Sequence, residues 1–102
     1  MTKLQNLSED QLDLMHHIQH NVNTSQRQIS KETGLSLGKV NYCLKELKDI
    51  GFIKMHNLNT TTKKNYTYIL TPKGIKQKVA ITKQFIAKKK QEYDKFNSYI
   101  NS

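Results

Sequence analysis

Residues Ser25 to Lys54 read SQRQISKETGLSLGKVNYCLKELKDIGFIK, and this stretch decides the fold. Ser25 carries the hydroxyl that accepts from a free N–H at a helix start, with Gln28 placed to reciprocate. Gly34 supplies the left-handed residue that stops a helix, and Ser36 caps the next one. The spacing therefore predicts two short helices joined by a tight turn at Gly34-Leu35-Ser36. The second runs to Gly51, and at about 100° per residue Leu37, Val40, Leu44 and Leu47 gather on its inner side. Gly38, Tyr42, Lys45 and Asp49 fall opposite, with Lys39 and Asn41 on the flanks. An apolar inner face beneath a small, polar and basic outer face is the pattern of a helix-turn-helix, whose second helix enters the major groove of DNA.

Upstream, Ser8 and Gln11 form a capping-box pair, and Glu9 and Asp10 suit the positive end of a helix. Leu12, Met15 and Ile18 give that helix one apolar stripe, ending near His20 before the polar connection 21–24. Downstream of Gly51 the period changes. Phe52 to His56 and Tyr66 to Leu70 are β-branched and aromatic runs around a polar, threonine-rich segment, a β-hairpin or wing. Thr71-Pro72 then opens a last helix running to about Ser98. The fold class is mainly α with a small hairpin: a winged helix-turn-helix over 1–74 and a dimerisation helix over 75–102.

In that last helix Ile75, Val79, Thr82, Ile86, Tyr93, Phe96 and Ile100 form a heptad-like seam, interrupted at Lys89-Lys90. A helix of this length spans about 40 Å, more than so small a body can cover. Its projecting part needs an apolar partner, most simply a second copy. Composition points the same way: only 35% of the 102 residues are hydrophobic, so the core is small.

Lysine and arginine number 17 against 8 acids, a net charge of +9. Such a field favours polyanions by releasing their counterions, and it also keeps a protein in solution. The first residues hold no apolar run of the kind a signal peptide needs, and no segment suits a bilayer. With one cysteine, Cys43, an internal disulfide is excluded, and the expectation is a reduced, cytoplasmic setting.

The order of elements resembles the winged-helix regulators of the MarR type, and most closely their small subfamily associated with exopolysaccharide gene clusters. The resemblance lies in Ser25-Gln26-Arg27-Gln28, in Gly34 to Leu44 with its SLGKVNYCL run, and in Tyr68-Ile69-Leu70-Thr71-Pro72-Lys73-Gly74. It implies duplex-DNA binding at a pseudo-palindromic site, dimerisation through terminal helices, and control of polysaccharide-synthesis genes. The wing departs from the usual pattern: 59–65 stand where an Asp-Arg element is typical.

The residues expected to meet DNA follow from reach and chemistry. Ser36, Gly38, Lys39, Asn41, Tyr42 and Lys45 lie on the groove-facing side: Gly38 for close approach, Lys39 for phosphate or guanine. Asn41 suits adenine and Tyr42 a thymine methyl. Ser25, Gln26 and Arg27, at a helix N-terminus, suit phosphates, and Lys63 and Lys64 at the wing tip suit the minor groove or backbone. His16 and His20 have a zinc-compatible spacing, but nothing completes the set, so no metal or other cofactor is expected. Cys43 reads as a small buried hydrophobe, with a redox sensor as the alternative. No phosphate loop, paired acids or nucleophile elbow is present, so an enzyme is not expected. A protein-docking winged helix and an RNA-binding one are the competing readings; any small-molecule effector is left open.

Overall fold

In the computed structural model, which describes residues 7–21, 25–57 and 66–101, the chain runs α1 (Glu9–His20), α2 (Gln26–Thr33), α3 (Leu37–Asp49), β1 (Ile53–Asn57), β2 (Tyr66–Leu70) and α4 (Pro72–Ile100). The strands form a two-stranded antiparallel hairpin that pairs Ile53 with Leu70 and Met55 with Tyr68. This is a winged helix with a long last helix, as the sequence predicts.

Each helix begins where a side chain can satisfy its free N–H groups. Ser8 and Gln11 make the full capping box: Gln11 N donates to Ser8 Oγ at 3.2 Å and Ser8 N to Gln11 Oε1 at 2.9 Å. Ser25, Ser36 and Thr71 accept from the N–H three residues on. At Ser25 the expected reciprocal bond gives way, because the Gln28 amide donates to Glu32 at 2.7 Å instead. Gly34 and Gly51 hold φ of 80° and 85°, the left-handed stops after α2 and α3. At Gly51 the α3 end closes as a Schellman motif, with Phe52 N donating to Leu47 O and Gly51 N to Lys48 O.

The core is continuous: Leu14, Met15 and Ile18 of α1, Ile29 of α2, Val40, Cys43, Leu44 and Leu47 of α3, then Phe52, Ile53 and Ile81. Two inner-face assignments shift. Leu37 is 43% exposed and Cys43 is buried in its place: at about 100° per residue the two lie on opposite sides of Val40, and the core takes the Cys43 side. In α1 the fully buried Leu14 joins the stripe, while Leu12 is half-buried. Burial of a side chain the size of Phe52 contributes about 2–3 kcal/mol.

The start of α4 is fastened to the end of α3. Thr71 Oγ1 accepts from Gly74 N at 3.0 Å and donates to Gly51 O at 2.6 Å; Thr71 N donates to Phe52 O, and Lys73 Nζ to Ile50 O. Gly74 is packed so tightly that a Cβ there would lie 2.1 Å from Phe52 O. The Leu-Thr-Pro-Lys-Gly run is thus a clasp between two helices. The 74/75 boundary read from sequence falls inside α4, which continues two residues past Ser98 to Ile100.

Beyond the clasp α4 meets the body through Ile81 and Phe85, Lys78 Nζ donates to Gln19 Oε1 at 2.6 Å, and Lys89 Nζ lies 3.2 Å from Glu9. From Ile86 onward every described residue is exposed. The seam is therefore uncovered, with Ile86, Tyr93, Phe96 and Ile100 all more than half exposed. Among the described residues no helix is long and apolar enough to cross a membrane.

Candidate nucleic-acid interface

Capping and packing together aim α3 outward. Val40, Cys43, Leu44 and Leu47 fix its inner face in the core, which leaves Gly38, Lys39, Asn41, Tyr42 and Lys45 exposed on one surface. A Cβ added at Gly38 would meet nothing within 4 Å, so the body gives no reason for a glycine there. The Ser36 hydroxyl oxygen accepts from Lys39 N at 3.1 Å and keeps its own hydrogen free to donate. Ser25 is used in the same way toward Gln28 N. Both serines are therefore caps first, with one outward donor left over.

The charged and aromatic groups are not loose. Lys39 Nζ lies 3.8 Å from Asp10, an exposed pair worth at most about 1 kcal/mol and easily surrendered. Tyr42 OH donates to Glu46 at 3.1 Å, and Glu46 also accepts from the buried Gln11, which ties α3 to α1. The carboxylate bond and its negative charge push the Tyr42 phenol above its ordinary value, so it remains a donor. Sequence reasoning does not single out Glu46; its position four residues after Tyr42 is the available signal.

Gln26 corrects the expectation of a freely exposed phosphate ligand. It is half-buried, and its amide nitrogen donates to Tyr68 OH at 3.0 Å and to Asn41 Oδ1 at 3.3 Å. The three side chains join α2, α3 and β2 and line a basin of about 220 Å³ with Lys45 and Lys48. With Oδ1 engaged by Gln26, the NH2 of Asn41 is the part of its amide left to donate. Sequence reasoning misses Tyr68 and Lys48 as members of this surface, Tyr68 because a strand residue gives no local sign of reaching a helix. Arg27 is exposed beside Gln26. Lys63 and Lys64 lie outside the described residues.

The rings of His16 and His20 lie 4.5 Å apart, tilted at 53°, and among the described residues no group of three or more His, Cys, Asp or Glu side chains is placed to hold a metal ion. Partial burial first, then Lys78 and His20, hold the His16 imidazole below its ordinary value. Cys43 is buried, and that burial pushes its thiol up, away from the thiolate that redox sensing needs.

Residues 9–54 match a family model described as winged helix-turn-helix DNA-binding. No curated protein matches the chain. Among solved structures, the chain is similar to Streptococcus pneumoniae FabT in complex with DNA: TM-score 0.67, 20% identity, 91% of this chain and 64% of that one. It is similar also to MarR (TM-score 0.75, 19% identity, 89% of this chain and 66% of that one). A third is a mutant S. aureus MepR bound to an oligodeoxyribonucleotide, with TM-score 0.65 and 20% identity over 87% of this chain and 65% of that one. At these identities the likeness is one of fold, and the chain spans 64% of FabT's length.

Proposed function

We propose that this chain is a MarR-type transcriptional regulator that binds duplex DNA as a cytoplasmic homodimer. Residues 1–74 serve as the reading head and 75–102 as the dimerisation helix. The observation that carries the reading is the outward surface of α3: Gly38, Lys39, Asn41, Tyr42 and Lys45, exposed together on a helix whose other side is locked into the core. Two such helices enter successive major grooves roughly 34 Å apart, so the site is pseudo-palindromic. Ser25, Arg27 and the wing lysines hold phosphates, with Gln26 bracing Asn41 from behind. Binding, not catalysis, is the activity. The SLGKVNYCL resemblance extends the proposal to polysaccharide-synthesis genes as targets.

The test is titration of duplex DNA and selection of bound sequences from a random pool. Arg27→Ala is expected to weaken all duplexes alike and lower the salt slope by about one. Asn41→Ala and Tyr42→Ala are expected to erase preference among sequences while non-specific binding persists. A specificity ratio unchanged by both would remove α3 as the reading helix, and no duplex binding even at low salt would favour a docking module.

A further inference from the structure

The uncovered side of α4 has a self-complementary spacing. Its seam positions step by four and three alternately from Ile75 to Ile100, with Lys89 filling the long interval between Ile86 and Tyr93. Such a seam reads alike in both directions, so two copies pair either parallel or antiparallel. The contents of the two halves differ, and that decides the matter. The first half is aliphatic or small; the second holds Lys89, Tyr93 and Phe96.

Parallel pairing sets each seam residue against itself. Lys89 meets Lys89 across the core, and the lysine-rich start of α4 (Lys73, Lys76, Lys78, Lys83) runs beside its own copy. Antiparallel pairing gives Ile75 with Ile100, Val79 with Phe96, Thr82 with Tyr93 and Ile86 with Lys89. Large side chains then meet small ones. Lys89 faces an aliphatic layer from which it can reach outward, as it already does toward Glu9 at 3.2 Å. The only acids of α4, Glu92 and Asp94, come alongside the lysine-rich start of the other copy.

A second observation falls on the same place. Between α1 and α4 lies an open cavity of about 430 Å³, lined by His16, Gln19 and His20 on one side and Ile75, Val79 and Thr82 on the other. The antiparallel register delivers Tyr93, Phe96 and Ile100 of the other copy to this groove. Those three are 67%, 57% and 81% exposed in the single chain. Lys78 and Lys83 rim the groove, opposite in charge to the arriving acids.

We propose that two copies pair antiparallel through α4, so that the Tyr93–Ile100 end of each helix fills the α1–α4 groove of the other. The proposal rests on the homodimer reading above and adds its orientation, its register and the occupant of the groove. In this register the two Val79 residues of a dimer stand about 26 Å apart along the helices. Parallel pairing would bring them into contact.

The experiment uses the full chain in three forms: Val79→Cys, Phe96→Cys and the double variant, each treated with a short bis-maleimide after its mass is measured by light scattering. Both positions are exposed, so neither change disturbs the fold of one chain. The expected result is a dimeric mass for the parent chain, a weaker dimer for the forms that lose the Phe96 ring, and covalent dimer from the double variant alone at concentrations where it is still dimeric; the single variants also report any linkage through Cys43. Covalent dimer from Val79→Cys by itself would overturn the proposal in favour of parallel pairing. A dimeric double variant that does not cross-link would overturn it in favour of another face. A monomeric parent chain would remove the dimer reading, and this proposal with it.

Discussion

Gly38→Ala separates what the fold requires from what binding requires. The chain has four glycines. Gly34 and Gly51 hold positive φ, and Gly74 abuts the Phe52 backbone; Gly38 alone has ordinary helical geometry and open space where a Cβ would go. Alanine there removes only the entropy that glycine loses on folding, about 0.5–1 kcal/mol in a helix interior. Gly38 is the second residue of α3, so the lower end applies, a gain of about 0.5 kcal/mol. For a chain of this size that raises Tm by about 2–4 °C. If α3 lies in the groove with its backbone near the bases, the same methyl is an overpacking insertion costing about 1–3 kcal/mol, a loss of affinity of roughly 5- to 150-fold. The two readouts are therefore expected to move in opposite directions. Thermal unfolding at fixed protein concentration gives the first, and titration of a selected duplex at fixed salt the second. A variant that is stabilised yet binds with undiminished affinity would refute close approach at Gly38 and the docking geometry built on it.

Three further outcomes follow from the same structure. Tyr68→Phe removes the hydroxyl that anchors Gln26 behind Asn41; it is expected to reduce discrimination at one base position, leaving the salt slope unchanged, when variant operator sequences are compared. Gly74→Ala forces a Cβ against Phe52 O and is expected to destabilise by about 1–3 kcal/mol or prevent folding, measured by urea unfolding. His16 is held below its ordinary value of 6.5 by partial burial, Lys78 and His20, so the unfolded chain binds its proton more readily than the folded one. Stability is therefore expected to rise with pH up to about that value and to fall as pH drops through it, a slope that His16→Gln should flatten in chemical denaturation series.

What could be read from the chain follows the range of the interactions involved. Ser8, Ser25, Ser36 and Thr71 act on N–H groups three residues away, and Gly34 and Gly51 on their own backbone. Helix starts and stops were accordingly legible. The roll of α3 was less so. Leu37 and Cys43 lie at similar angles either side of Val40, and only packing against the rest of the body exposes the first and buries the second. The Gln26–Tyr68–Asn41 contact spans 42 residues at its widest, joining three elements by groups ordinary in their own settings. Pattern reading has no purchase on such a contact, since nothing periodic or adjacent marks it.

The two ends of the functional surface differ in the same respect, and this bears on how they act together. The face of α3 is a local property: caps and an amphipathic period set it, and one chain suffices to present it. In the proposed dimer the spacing between two such faces would be set by α4, whose outer half is exposed throughout. Under antiparallel pairing the crossing lies near Lys89, and the partner's tip sits against α1, the helix that Gln11 and Glu46 tie to α3. Any change in how deeply Phe96 enters that groove is then transmitted to the pitch of α3 through the shared α1–α3 core and the Gln11–Glu46 bond. Phe96→Ala is thus expected to weaken binding to a paired-half-site duplex far more than to a single half-site. Equal losses on both would place the effect within one chain and break this link between pairing and reading.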